Sequence, residues 1–181
     1  MTAIYKREMQ SYFTSPVGYI FVAVFLAVSA FIFMDCTLQA GEDSNVAAYF
    51  MYILYIFIVI IPLITMKLLS EERKMRTDQL ILTSPVSLFG MVFAKFLAAF
   101  TLFGGTFVIS SIIYYIPLAL YGTPNLASYI CSVISIILSG AAFIAIGVFI
   151  SSLTENQGFA AGIAIVLFLF NYYSVSLAEQ V

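Results

Sequence analysis

Four long stretches without a charged residue constrain this chain more than any other feature of its sequence. They lie between Glu8 and Asp35, Asp43 and Lys67, Lys95 and Glu155, and Glu155 and Glu179. A helix needs about 20 apolar residues, at about 1.5 Å each, to cross the hydrocarbon core of a bilayer. Three of the stretches hold one such helix each, and the longest holds two because turn-forming residues at 121–125 divide it.

The sequence therefore predicts an all-α integral membrane protein, formed by one domain over residues 1–181. Five spans are predicted, at 16–38, 46–69, 88–120, 126–152 and 156–176. Hydrophobic residues make up 63% of the chain and charged residues 9%, whereas soluble domains average about 45–50% and about 25%. The apolar runs are continuous and lack the alternation of barrel strands, so helices are favoured over a barrel.

The basic residues predict the orientation of these spans. All seven lie in two places, Lys6 and Arg7 before the first span and the remainder between residues 67 and 95. Because Lys and Arg accumulate in cytoplasmic loops, the amino terminus and the 70–87 connection are predicted to face the cytoplasm, and the carboxyl terminus the outside. Residues 1–14 have the pattern of a short interfacial amphipathic helix. A basic flank that only sets the topology is the alternative.

Three basic residues are predicted to anchor the chain at the inner interface, namely Lys6, Arg7 and Lys95. Lys95 lies about 10 Å into the third span if that helix begins at residue 88. From there a lysine side chain can reach the headgroups at little cost. Substrate binding by Lys95 is the alternative interpretation.

Two stripes of small residues have two interpretations. One includes Thr101 and Gly105 on the third span, and the other Ser132, Ser135 and Ser139 on the fourth. Small residues allow transmembrane helices to approach closely, so packing between helices is the simpler interpretation. A translocation path lined by one of the stripes is the alternative.

The residue inventory argues against several functions. The chain has no histidine and two cysteines, which excludes a histidine base, a Ser-His-Asp triad and a four-thiolate metal site. Seven Lys and Arg with a net charge of −2 do not provide the basic surface that binding of nucleic acid requires. The phosphate-binding pattern G-x-x-x-x-G-K-[ST] is absent from the sequence. We therefore predict no catalytic residue, metal ligand or bound cofactor, and an intramembrane enzyme is disfavoured.

The connection at 70–87, SEERKMRTDQLILTSPVS, combines charge with exposed apolar surface. Thr77 can cap a short helix at 78–82, and Pro85 prevents its continuation. Leu80, Ile81 and Leu82 cover more than one face of so short a helix. Part of this surface would be exposed unless a cytosolic partner or the inner leaflet covers it. The alternative is an interfacial anchor beside ion pairs.

This connection strongly resembles the loop after the second span of type-2 ABC exporter permeases. The nearest branch is that of the permeases from gliding-motility and nitrous-oxide-reductase maturation operons. The resemblance is carried by residues 69–74 and 77–87, with support from residues 5–16 and 151–157, and covers nearly the whole chain. Arg76 stands where the family often has glycine. The family also has six spans with both termini inside, whereas five are predicted here.

The resemblance implies a permease subunit of an ABC transporter, which exports an unknown substrate across the bacterial inner membrane by alternating access. It implies a second permease subunit, identical or different, and a separate cytosolic ATPase that binds ATP and Mg. The ATPase would contact a coupling helix in 70–87 through Glu71, Glu72, Arg73, Thr77, Leu80, Leu82 and Pro85. A non-transporting membrane anchor or regulator that recruits a cytosolic protein through the same loop is the alternative.

Overall fold

The computed structural model describes residues 2–38, 47–74, 88–121, 125–154 and 156–178. In these ranges the chain is almost entirely helical and has no strand, which confirms the all-α prediction. The helices are α1 (Thr2–Thr14), α2 (Pro16–Phe33, continued by a π-helical turn at Met34–Leu38), α3 (Ala47–Lys74), α4 (Leu88–Tyr121), α5 (Leu126–Leu153) and α6 (Gln157–Ala178).

The long helices coincide with the predicted spans. Within the described residues, four apolar segments are long enough to cross a membrane: Gly18–Cys36, Ala48–Ser70, Phe89–Leu120 and Leu126–Leu153. The fifth apolar segment, Gln157–Tyr173, is shorter, but it belongs to a helix of 22 residues. Such a helix is about 33 Å long, against a hydrocarbon core of about 30 Å.

Large apolar side chains cover the outside of the helix bundle. Phe89, Leu120 and Phe170 are each 75% exposed. Soluble monomers rarely expose large contiguous apolar patches, so hydrocarbon is the medium that this surface fits. The interior is aromatic, and the Phe57 and Phe103 rings meet edge to face with 4.9 Å between their centroids. Helix α3 lies at the centre and contacts α2, α4, α5 and α6.

The amino-terminal helix α1 packs against α2 and α4. Its Tyr12 side chain is buried, whereas Lys6 and Gln10 are exposed, as an amphipathic helix requires. Ser15 has an extended backbone and precedes Pro16 at the start of α2, although the Ser15 side chain makes no capping bond. The chain turns sharply here and brings Gly18 close to the backbone of Tyr12. A Cβ atom on Gly18 would lie 2.2 Å from the Tyr12 carbonyl oxygen.

The start of α6 differs from the expectation for its sequence. Residues 154–157 match a capping box, which predicts that the Thr154 hydroxyl accepts from the Gln157 amide. Instead, Asn156 caps the helix, and its Oδ1 accepts from the Gly158 amide at 3.2 Å. The Thr154 hydroxyl donates to the Asn156 carbonyl at 3.4 Å. Asn156 lies two residues after Thr154 and directly before Gln157, the first residue of the helix, which is the N-cap position.

Candidate functional site

The predicted 70–87 segment leaves the bundle from the end of α3. Glu71, Glu72 and Arg73 lie in the last turn of this helix, which ends at Lys74. Thr77, Leu80, Leu82 and Pro85 lie outside the described residues, so their predicted contacts with an ATPase stay predictions. What the structure does describe is how the end of α3 is held. We call the contacts around it the junction, formed by Glu8, Lys95, Ser151 and residues 66–70.

Lys95 on α4 is the centre of the junction. Its side chain is 1% exposed, and its Nζ donates to Glu8 Oε1 at 3.1 Å and to the Leu68 carbonyl at 2.8 Å. One ammonium group on α4 therefore binds α1 and α3 at once. The sequence predicts an interface anchor at this position, and the structure adds partners inside the protein. The headgroup-anchoring roles of Lys6, Arg7 and Lys95 stay predictions.

Glu8 on α1 is the acidic partner in this ion pair. Its side chain is 13% exposed and also pairs with Arg7 Nη2 at 3.1 Å. Tyr12, one turn further along α1, is buried, and its hydroxyl has no hydrogen-bond partner within the described part of the chain. Burial, and then the negative charge of Glu8, raise the pKa of the Tyr12 hydroxyl above its ordinary value. Tyr12 is therefore neutral at any physiological pH.

Ser151 on α5 holds the same end of α3 from another side. Its hydroxyl oxygen accepts from the Leu69 and Ser70 amides, each at 3.2 Å, and donates to the Met66 carbonyl at 3.2 Å. The Ser151 side chain is completely buried. In a low-dielectric interior such bonds are strengthened, and leaving their partners unpaired is costly. The last turns of α3 are thus fixed to α5 as well as to α4 and α1.

Two glycines of α5 lie in close contact with neighbouring helices, one with α3 and one with α4. Gly147 faces Thr65, since a Cβ atom on Gly147 would lie 2.4 Å from Thr65 Oγ1. Gly140 faces the Phe103 ring of α4 in the same way, at 2.2 Å. The packing face of α5 is therefore Gly140, Gly147 and Ser151, which the sequence analysis did not single out. Their spacing of seven and four residues places all three on one side of a helix.

We expect that Ser151→Ala lowers the stability of the solubilised protein. The substitution removes one acceptor shared by two α3 amides and the donor to a carbonyl, at a cost of about 1–3 kcal/mol. Thermal unfolding in detergent, followed by circular dichroism, measures this change. The matched control is Ser152→Ala, because the Ser152 hydroxyl donates to the Phe149 carbonyl within its own helix. Equal unfolding temperatures for the two variants would contradict the role of Ser151.

The two predicted small-residue stripes lie mostly on exposed or half-buried surface. Thr101 accepts a bond from the Tyr5 hydroxyl at 3.1 Å, and a Cβ atom on Gly105 would have nothing within 4 Å. In the fourth-span stripe, the hydroxyls of Ser132, Ser135 and Ser139 each donate to a carbonyl one turn earlier in α5. Neither the pathway nor the packing interpretation of these residues is tested by such contacts, and both stay predictions.

Ser139 also lines a groove of about 510 Å³ between α3, α5 and α6. Its lining is largely apolar, with polar groups from Ser139, Asn171 and a hydrogen-bonded pair of hydroxyls, Tyr55 and Tyr172. The volume falls in the range of ligand-binding sites in proteins. Among the described residues, no three His, Cys, Asp or Glu side chains come together as a metal site would require.

Comparisons with known proteins agree with this architecture. The family model described as ABC-2 family transporter protein matches residues 2–180. Neither the search of curated proteins nor the search of solved structures finds a match. The match covers the helices α1 to α6, the junction and the 70–87 segment. The chain therefore belongs to the ABC-2 transporter family and is a multi-pass membrane permease subunit of an ABC transporter.

Proposed function

We propose that this permease exports its substrate by alternating access, driven by a separate cytosolic ATPase that binds the 70–87 segment. Membership of the ABC-2 family supports association with an ABC ATPase. ATP and Mg would be bound by that partner, since the present chain carries no phosphate-binding loop. The proposal includes a second permease subunit, identical or different, the bacterial inner membrane, and the gliding-motility and nitrous-oxide branch.

The observation that carries the proposal is the fixation of the α3 end by the junction. Helix α3 continues to Lys74, five residues beyond the predicted end of its span at residue 69. These residues add about 7.5 Å of helix toward the 70–87 segment. A displacement of the segment would reach the junction through this continuous helix. From there the Ser151 and Lys95 bonds would pass it to α5 and α4.

Transport follows when such a displacement changes the relative stability of two bundle arrangements. ATP binding can shift this equilibrium only by binding one arrangement more tightly than the other. An ATPase that closes around ATP and holds both 70–87 segments favours one arrangement, and hydrolysis releases it. Among the described residues, those that line the α3–α5–α6 groove carry no charge. This favours a cargo without strong charge, such as an amphipathic molecule.

We expect that the double substitution Leu80→Asp and Leu82→Asp abolishes co-purification of the ATPase. Two buried carboxylates in an apolar contact cost far more than such a contact can supply. The measurement is capture of the co-expressed ATPase on the tagged permease, with membrane insertion checked by carbonate extraction. The matched control is Leu153→Asp, which adds a carboxylate at a side chain that is 62% exposed outside the segment.

Two results would contradict the proposal in different ways. Full capture of the ATPase by the Leu80→Asp, Leu82→Asp variant would exclude the segment as its binding site. Capture by the native permease with no change in the rate of ATP hydrolysis would contradict transport and favour the non-transporting anchor.

A further inference from the structure

The proposed coupling through 70–87 gives no role to helix α1, yet α1 supplies the carboxylate that pairs with the buried Lys95. We infer that Lys95 is a positioning residue that couples α1 to the end of α3, so that α1 moves with the 70–87 segment during the transport cycle. The inference rests on the proposed function.

The geometry of Lys95 supports this role. The residue belongs to α4, but its ammonium group donates to Glu8 of α1 and to the Leu68 carbonyl of α3. An ammonium group has three donors in tetrahedral directions and can therefore bind two elements at the same time. Leu68 lies six residues before the end of α3 at Lys74, within the turns that the junction holds. A shift of the Leu68 carbonyl therefore acts on the ammonium group that also binds Glu8.

Stability alone does not explain a lysine here. A buried ion pair can often be replaced by apolar residues of similar volume without loss of stability, because desolvation offsets the attraction between the charges. The position lies in a helix whose neighbours Ala94 and Ala98 are buried and apolar. A neutral replacement of both partners, with methionine at 95 and glutamine at 8, would fill the same space without burying a charge. What it could not do is bind a carboxylate of α1 and a carbonyl of α3 together.

The position of helix α1 also allows it to respond to a displacement of the α3 end. It packs on α2 and α4, and the Tyr5 hydroxyl donates to Thr101 Oγ1 at 3.1 Å on an exposed side of α4. Arg7 extends the charged group from Glu8 to the surface of the protein. The ion pair thus lies between a surface helix and the end of α3 that carries the proposed coupling segment.

The test uses the full permease co-expressed with its ATPase in lipid nanodiscs. The native cysteines, Cys36 and Cys131, are free thiols and are replaced by serine. A spin label is placed at Gln10→Cys on α1 or, in a separate sample, at Leu153→Cys at the end of α5, both exposed positions. Each label is measured without nucleotide and after trapping with ATP and vanadate. In the otherwise native protein we expect the electron paramagnetic resonance spectrum of each label to shift on trapping.

The Glu8→Gln variant is expected to lose the shift at the α1 label and to retain the shift at the α5 label. The double variant Glu8→Gln, Lys95→Met is expected to do the same, and serves as a second variant because it leaves no buried charge without its partner. Lys6→Gln, which removes an exposed charge from the same helix, is the matched control and should leave both shifts unchanged. A purely structural ion pair would alter both labels or neither.

Three outcomes would overturn the inference. The α1 shift persisting in both Glu8→Gln and the double variant Glu8→Gln, Lys95→Met would show that α1 responds without the ion pair. A native protein in which the α5 label shifts and the α1 label does not would leave the proposed function intact and contradict the coupling of α1. A native protein in which neither label shifts, with the ATPase captured, would contradict the proposed function and the inference with it.

Discussion

Gly147→Ala is expected to force α3 and α5 apart and to destabilise the whole bundle. The added Cβ atom would lie 2.4 Å from Thr65 Oγ1, 2.9 Å from Thr65 Cβ and 3.0 Å from Thr65 Cγ2. Rotation of the threonine side chain cannot relieve this clash, because its Cβ atom does not move with χ1. Overpacking of this kind costs about 1–3 kcal/mol. The unfolding temperature in detergent should fall accordingly.

The direction of this effect distinguishes packing from helix propensity. In a helix interior, replacing glycine by alanine stabilises by about 0.5–1 kcal/mol when there is room for the methyl group. Gly162→Ala is therefore the control, since a Cβ atom there has nothing within 4 Å. Adding Thr65→Gly to Gly147→Ala should restore part of the lost stability, as expected for two residues in direct contact. An unfolding temperature for Gly147→Ala at or above that of Gly162→Ala would refute the close approach of α3 and α5.

The positions of the helices were predictable from charge and length. A charge-free stretch of sufficient length must form its hydrogen bonds within the segment, so the chain has little alternative to a helix there. The predicted span at 126–152 and the observed α5, Leu126–Leu153, differ by one residue. The amphipathic pattern of residues 1–14 similarly predicts α1, on which Lys6 and Gln10 are exposed and Tyr12 is buried.

The contacts between helices were not predictable in the same way. A membrane helix is apolar on all sides, so hydrophobic periodicity does not show which side packs against protein. Small residues are a weaker signal, and on α5 the serines at 132, 135 and 139 compete with Gly140 and Gly147. The structure shows that the glycines mark the close approaches. The spacing of Gly140, Gly147 and Ser151 was the signal available in the sequence.

The partner of Lys95 was hidden for a different reason. Glu8 lies 87 positions earlier in the chain, and the local sequence around a lysine near a span end fits a side chain that reaches the headgroups. Only the packing of α1 against α4 brings the carboxylate within 3.1 Å. That packing depends in turn on the sharp turn between α1 and α2.

Gly18→Ala is expected to open this turn and to move α1 away from α4. The added Cβ atom would lie 2.2 Å from the Tyr12 carbonyl oxygen and 2.9 Å from the Tyr12 carbonyl carbon, whereas ordinary contacts begin at 3.4 Å. Both neighbours are backbone atoms, so no change of side-chain rotamer relieves the clash, and the α1–α2 connection must move. The Glu8–Lys95 and Tyr5–Thr101 contacts should then be lost together.

Cross-linking measures the loss directly. In protein whose native cysteines are replaced by serine, Tyr5→Cys and Thr101→Cys should be joined by a short bis-maleimide, because these side chains meet in the native structure. Gly18→Ala should reduce the yield strongly. Gly158→Ala is the matched control: Gly158 also lies in the first turn of a helix, but its nearest neighbour would be 3.7 Å from the added atom. If Gly18→Ala cross-links as well as Gly158→Ala does, the turn tolerates a side chain, and Gly18 does not set the position of α1.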